Sequence, residues 1–495
     1  MSAEPADPAV GATEHSLDPD DWDAFRALGH RAFDELVDYL QTIARRPAWQ
    51  PLPEAARALF REPLPGRGIG DEAAWRQLSE HVLPYPTGNV HPRFWSWVGG
   101  TGTPTQLLAD MAASTMNSCS LGFDEAASSH VELQLLDWLK SLLGFPTAAS
   151  GLLVSGGSMA NLVGLAVARQ HAADYDLRAD GVDLRERPRL MFYGSTEMHS
   201  SLVKAVELLG LGSRSLVRVP VLEDFTIDLA ALRDAIASDR AAGRQPACLI
   251  ANAGTVNTGA VDPLPALAGL AAAEDLWLHV DGAFGAFARL APRHAERLAG
   301  LERADSVAFD LHKWLYVQYS CGGVFVRDRE THRQTFSVVP SYLRKLDRGL
   351  ASGPLNFSEY GVQLSRSFVA LRAWLALKSA GAERYRAQIE QNIEQAAFLS
   401  GLVDRHPELQ RLAPTALNIV NFRYYDAGLD DAALDELNAE ILMRLHERGI
   451  ATPSSTVLGG RFSIRVANCN HRSRREDFAA LAEATVAIGR ELLGR

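Results

Sequence analysis

Residues 304–328 read ADSVAFDLHKWLYVQYSCGGVFVRD. Two short apolar runs, SVAFD and GGVFVRD, flank a turn that holds His312, Lys313 and Trp314. Runs of this length, rich in Val and Phe and bounded by Gly and Asp, have the signature of buried strands. A lysine directly after such a strand is unusual, because an ammonium group keeps to water. It either snorkels out of a core or is held there for chemistry. Its apolar and aromatic neighbours are expected to desolvate it and lower its pKa.

Outward from this stretch the same kind of run recurs: GLLVS (151–155), RLMFYG (189–194), SLVRVPV (215–221), ACLIANAG (247–254) and LWLHVD (276–281), with helical patterns between most of them. Such alternation implies crossover connections and a mostly parallel sheet covered by helices, so the expected fold class is α/β. Sites in such sheets form at the carboxyl ends of the strands. After about residue 377 the order changes to a helix, the strand NIVNFRYY, a helix over 430–447, paired segments around GRFSIRVANC and a last helix. That order reads as a smaller α+β domain. At the other end Trp22, Phe25, Leu28, Phe33, Leu36, Val37, Leu40 and Ile43 recur at helical spacing behind a capping region at 16–21. Three parts are therefore expected: an N-terminal helical segment, 1–100, that packs on a partner subunit, a large α/β domain, 101–376, and a small C-terminal domain, 377–495. Residues 91–104 are also expected to lie against the neighbour.

The chain has 495 residues, 47% hydrophobic and 22% charged, enough for two or three domains with sizeable cores. A formal charge of −11 without a basic stripe argues against a nucleic-acid partner. Cys119, Cys248, Cys321 and Cys469 lack the paired spacing of a zinc site, so no metal and reduced, buried thiols are expected. The N-terminus has neither the basic start nor the apolar core of a signal peptide, and no apolar run reaches membrane-spanning length. A soluble cytoplasmic protein is expected.

Of the 49 basic residues only five are lysines: Lys140, Lys204, Lys313, Lys345 and Lys378. Lys140 and Lys378 sit in amphipathic helices and Lys345 in a polar stretch. Lys204, five residues beyond His199, is off that histidine's helical face. Lys313 alone follows directly on a strand end. Only a lysine condenses with an aldehyde, because arginine stays protonated.

Other polar residues fall at the same rim. GLLVS runs into Gly156, Gly157, Ser158 and a helix, which fits either an anion cradle or a plain turn. Asp281 ends LWLHVD and needs a cation or protonated ring nitrogen unless it caps the next helix. His199 opens a helix after RLMFYG, as a local hydrogen-bonding group or as a catalyst. Thr255 follows ACLIANAG. Four polar residues at one rim mark a site. With Lys313 they meet the needs of pyridoxal phosphate: an amine for its aldehyde, a carboxylate for its pyridine nitrogen, N–H donors for its phosphate and a flat ring to stack on.

The pieces HPRFWSW (91–97), SGGSMANL (155–162), EMHSS (197–201), HVDGAFGAF (279–287), ADSVAFDLHKWL (304–315), PSYLR (340–344) and LSRSFVALRAW (364–374) occur in the order in which a known family carries them. The sequence resembles the pyridoxal-phosphate-dependent group II amino acid decarboxylases, the aromatic-L-amino-acid decarboxylase family. The resemblance implies fold type I, the aspartate aminotransferase-like fold, as a homodimer that decarboxylates an L-amino acid, with an aromatic one favoured, to an amine and carbon dioxide. It implies Lys313 as the imine-forming lysine, Asp281 at the pyridine nitrogen and His199 stacked on the ring. It places Thr255 and Ala283 along the cofactor, Gly157, Ser158 and Ser306 near the phosphate, and His312 beside the lysine. Trp97 and Val98 would face the substrate. Tyr342 matches the tyrosine of a mobile catalytic loop and would be the acid that returns a proton to the α-carbon, and the segment 338–355 has the composition of a flap.

The sequence also departs from the family. Val98, Gly99, Gly100 and Asn89 stand where aromatic-specific members carry bulkier or aromatic residues, so an acidic or other amino acid is an alternative substrate. Asp310 replaces a common asparagine and, as a carboxylate beside a dianion, is expected to stay outside the site. An aminotransferase or carbon–carbon lyase on the same cofactor is the other enzymatic reading. A non-catalytic phosphate-binding module with a structural Lys313 is the reading from a different class.

Overall fold

The computed structural model describes residues 16–338, 346–350, 352–353 and 355–495. These fall into two compact units, one of residues 16–43 and 52–86 and one of 44–51 and 87–495. The first unit is helical, with helices Trp22–Thr42, Glu54–Leu59 and Asp71–His81. Asp21 caps the long helix by accepting from the N–H groups of Asp23 and Ala24. Trp75 Nε1 donates to Glu35 at 2.9 Å, which ties the third helix to the first. Trp22 and Phe25 lie on the long helix, 57% and 46% exposed.

In the second unit a short strand, β1 (Phe94–Trp95), precedes the strands of the large sheet: β2 (Ser150–Val154), β3 (Leu190–Ser195), β4 (Leu216–Val219), β5 (Gln245–Asn252), β6 (Trp277–Asp281), β7 (Ser306–Asp310) and β8 (Gly322–Val326). Their order is β2-β8-β7-β6-β5-β3-β4. Every apolar run singled out between residues 151 and 328 is one of these strands. Pairings among β3 to β7 are parallel, whereas β8 runs antiparallel to both β7 and β2. Only residues 311–321 connect β7 to β8, too few for a helical crossover, so the chain turns back on itself. The carboxyl ends of β2, β3, β5, β6 and β7 consequently share one edge. The strands are buried almost throughout, which is why they read as continuous apolar runs.

A second sheet has the order β1-β11-β12-β10-β9, built from β9 (Leu409–Arg411), β10 (Ile419–Tyr424), β11 (Thr452–Leu458) and β12 (Arg461–Ala467) with β1 parallel on its edge. Its core of Phe422, Ile464, Val466 and Phe478 is separate from that of the large sheet. The helix Ala370–Arg405 is broken at Gly381, whose φ of 73° is left-handed. The segment 88–102 is fastened to its own chain. Asn470 donates to the carbonyls of His91 and Phe94, Ser473 to that of Pro92 and Arg465 to that of Trp97.

Cys248, Cys321 and Cys469 are buried and Cys119 is exposed, all unpaired. Among the described residues no helix is long and apolar enough to cross a membrane, and no cluster of His, Cys, Asp or Glu side chains is arranged to hold a metal ion.

Candidate active site

A cavity of about 500 Å³ opens where the strand ends converge. From β2 the chain enters the turn Ser155–Ser158 and then the helix Gly157–Ala172, whose N-cap is Gly156 and therefore has no side chain over it. First-turn N–H groups have no partner within a helix, and the start of a long helix carries partial positive charge, so this turn favours an anion. A Cβ on Gly157 would lie 2.8 Å from Ala283 Cβ and 2.9 Å from Asp310 Oδ2. Glycine is what lets the turn close onto the ends of β6 and β7.

β7 passes directly into the short helix Leu311–Trp314. Trp314 is fully buried, stacks on Phe284 at 5.4 Å and donates its indole N–H to Asn392 at 3.2 Å. With Trp314 anchored in the core, its neighbour Lys313 lines the cavity. A Cβ on Gly100 would meet the carbonyl oxygens of His312 at 2.2 Å and Lys313 at 2.5 Å, so residues 97–102 run directly against the lysine turn. Asn89 Nδ2 donates to the Gly100 carbonyl at 2.8 Å and holds that approach.

Lys313 Nζ lies 2.9 Å from Asp310 Oδ2. Burial pulls the ammonium pKa down, but the Asp310 carboxylate, with Asp281 and Tyr319 behind it, more than reverses this, and the group lies above its ordinary value. The pKa depression expected from apolar neighbours is thus corrected by an ion pair. Asp310, expected to stay outside, lines the cavity, is 1% exposed and keeps Oδ1 without a donor among the described residues. His312 is tied through Nδ1 to the Cys321 main chain, and burial lowers its pKa. Tyr319 packs on the His312 ring at 4.5 Å.

Asp281, at the end of β6, accepts from Ala283 N at 3.1 Å through Oδ1 and from Asn161 Nδ2 at 2.9 Å through Oδ2. His199 is the N-cap of the helix Ser200–Leu208, its Nδ1 accepting from Ser201 N at 3.2 Å. Burial lowers its pKa, Asp281 working against this and Lys313 with it, so its ring is neutral near pH 7.

Gly157, Ser158, His199, Asp281, Ala283, His312, Lys313, Trp97 and Val98 all line this cavity. Two expected residues do not. Thr255 turns its hydroxyl to Thr258 Oγ1 at 2.9 Å and accepts from Ala260 N, inside its own turn. Ser306 is the first residue of β7, at the far end from the rim, and receives the Trp277 indole N–H at 2.8 Å. Its expected place near a phosphate is corrected by strand direction. Tyr342 lies outside the described residues. Asn161, Asp310 and Tyr319 line the cavity without having been singled out for it. For Asn161 the signal was available: it follows Gly157 by one helical turn and so shares its face.

The sequence profile of the pyridoxal-dependent decarboxylase conserved domain matches residues 57–425. The chain belongs to the pyridoxal-dependent decarboxylase family. It is 34% identical over 470 residues to an aromatic-L-amino-acid decarboxylase of Bacillus atrophaeus, covering 94% of this chain and 96% of the relative. It is 30% identical over 494 residues to tryptophan decarboxylase 1 of Oryza sativa subsp. japonica, covering 94% and 93%. Among solved structures, Oryza sativa TDC with PLP and tryptamine superposes with a TM-score of 0.88 at 27% identity, over 96% of this chain and all of the other.

As a family member the chain is an amino acid decarboxylase, a carboxy-lyase, with pyridoxal phosphate as cofactor. The cavity fits that group. It offers one amine, Lys313, whose side chain keeps 22% exposure, a carboxylate held by Asn161, a neutral imidazole, and an uncapped helix start whose glycine leaves no room for a Cβ.

Proposed function

We propose that the chain converts an aromatic L-amino acid to its amine and carbon dioxide. The observation that carries this reading is the convergence of Lys313, Asp281 and His199 on one cavity whose further wall is Trp97, Val98 and Phe284. The relatives named for aromatic substrates support it.

When bound, pyridoxal phosphate supplies an electron sink in conjugation with the substrate's α-carbon. Lys313 would hold its carbonyl end and Asp281 its ring nitrogen, with the flat face of His199 against the ring. Gly157 and Ser158, at the helix start, would take the phosphate, while Ala283 and His312 line the site. Trp97 and Val98 would bury the substrate side chain and exclude water from the breaking bond. Tyr342 is the proposed proton donor to the α-carbon.

We also propose a cytoplasmic homodimer. Trp22 and Phe25 on one helix, and Leu108, Met111 and Met116 on the helix Thr105–Met116, expose apolar surface suited to a second copy. Gel filtration with light scattering should give twice 53.8 kDa.

A panel of L-amino acids, scored for amine and carbon dioxide without added keto acid, tests the reaction. Tryptophan, tyrosine or phenylalanine should be consumed fastest. Preference for glutamate would replace the aromatic reading, a keto-acid requirement would replace decarboxylation, and a protein that gains no visible absorbance with pyridoxal phosphate would be a binding module. Tyr342→Phe should lose amine formation, and unchanged amine output would remove Tyr342 from its role.

A further inference from the structure

Beneath the cavity a run of buried polar side chains joins Asp281 to His199. Trp277 Nε1 reaches Ser306 Oγ at 2.8 Å, and Ser306 Oγ lies 2.8 Å from His279 Nδ1. His279 Nε2 lies 2.9 Å from Asn161 Oδ1. Asn161 Nδ2 reaches Asp281 Oδ2 at 2.9 Å and Ser201 Oγ at 3.1 Å, and Ser201 Oγ lies 2.8 Å from His199 Nδ1. Asn161, Ser201, His279 and Ser306 are all buried.

The direction of every proton in this run follows from its ends. An indole N–H only donates and a carboxylate only accepts. Ser306 receives the indole proton and so gives its own to His279 Nδ1. His279 then has Nε2 left to donate, to the amide oxygen of Asn161. That fixes the orientation of the amide, whose two N–H bonds go to Asp281 and Ser201. Ser201, having received, turns its own proton toward His199 Nδ1, whose acceptor role is already set by the Ser201 backbone N–H, so the His199 proton is on Nε2. Burial holds His279 neutral, at a pKa of about 4, which this order of donors requires.

We propose that Asn161 is the positioning residue of the site: oriented by His279, its amide holds the Asp281 carboxylate toward the cofactor's ring nitrogen. This rests on the reading of Asp281 as the partner of that nitrogen. Asn161 lies on the helix whose first turn faces the phosphate end, so one rigid element ties the two ends of the cofactor together. Neither Asn161 nor His279 takes part in bond making.

The test uses full-length cofactor-free protein, titrated by absorbance with pyridoxal 5′-phosphate and with its 1-deaza analogue, in which C–H replaces the ring nitrogen. The wild type should prefer the natural cofactor. Asn161→Ala removes a hydrogen bond to a carboxylate and Asn161→Asp turns it into a repulsion. Each should weaken pyridoxal phosphate about 10- to 100-fold while leaving the deaza analogue within about threefold. An equal loss for both ligands, or no loss for either, overturns the proposal. Equal binding of both ligands by the wild type overturns the reading of Asp281 instead, and the positioning role with it. Should the Asn161 variants fail to fold, His279→Gln carries the test, with an expected selective loss of about 3- to 10-fold, and an unchanged preference overturns the proposal.

Discussion

Asp281 and Asp310 end neighbouring parallel strands and line the same cavity, yet they are held in opposite ways. Asp281 is fixed by two neutral donors, Asn161 Nδ2 from the helix Gly157–Ala172 and the Ala283 backbone N–H of the turn that follows β6. Asp310 is held by a flexible cation, Lys313, and has one oxygen with no donor among the described residues. A carboxylate kept by fixed dipoles stays in place whatever binds. One kept by a lysine must find another partner whenever that amine is used. The contrast teaches that identical side chains at equivalent strand ends divide into a permanent fixture and an exchangeable partner, and that the neighbours decide which is which.

The largest effect should come from the cation that separates the two. Lys313→Ala is expected to lower amine formation by roughly 10³-fold or more, and borohydride trapping of the holoenzyme should label residue 313 and not Lys204. Asp281→Asn removes the fixed anion and should cost on the order of 10²-fold in kcat, with cofactor affinity falling in parallel. Asp310→Asn should cost about 10-fold or less, because it removes only the exchangeable partner. Its signature is a pH profile. With Asp310 gone, burial is opposed only by the weaker pull of Asp281 and Tyr319 and the Lys313 pKa falls, so cofactor capture at pH 7 should become faster and its pH midpoint should move down. In the wild type the raised Lys313 pKa means that the ammonium contributes stability to the cofactor-free protein at neutral pH, and that this contribution is lost as pH rises above about 10.5. An Asp310→Asn profile identical to wild type would erase the distinction between the two carboxylates.

The last effect is on stability and not on rate, and concerns the support beneath Asp281. His279 is neutral in the folded protein with a pKa of about 4, against 6.5 ordinarily, so an unfolded chain binds more protons between those values. Stability should therefore fall as pH drops from 6.5 to 4, by about 3 kcal/mol at most from this residue. His91, His332 and His471 share the same depression, so the share of His279 is read as the difference between wild type and His279→Gln in urea unfolding at pH 7 and pH 4.5.

The large sheet was legible because its strands are buried on both faces and read as unbroken apolar runs. Lys313, Asp281 and His199 were legible because a polar residue at the end of such a run stands out. Direction was harder to read. Ser306 begins β7, and a residue at the start of a parallel strand lies away from the rim where the site forms. β1 has two residues, too short to show any periodicity, so its membership of the C-terminal sheet had no sequence signal. A carboxylate at position 310 is unfavourable beside a phosphate alone, and its partner Lys313, three residues on, reverses that balance. Thr255 was displaced by local turn chemistry, its hydroxyl being taken up by Thr258 and Ala260 N.

β1 carries a consequence for protein engineering. Trp97 and Val98 line the cavity of the large sheet, but the Trp97 backbone is bonded to Ser454 of β11 and Arg465 of β12, and the residues just before it pair with β11 and accept from Asn470. A chimera that imports a substrate wall from a relative by exchanging residues 88–102 alone would meet mismatched sockets. That stretch and residues 450–473 form one cassette and should be swapped together, although more than three hundred positions separate them along the chain.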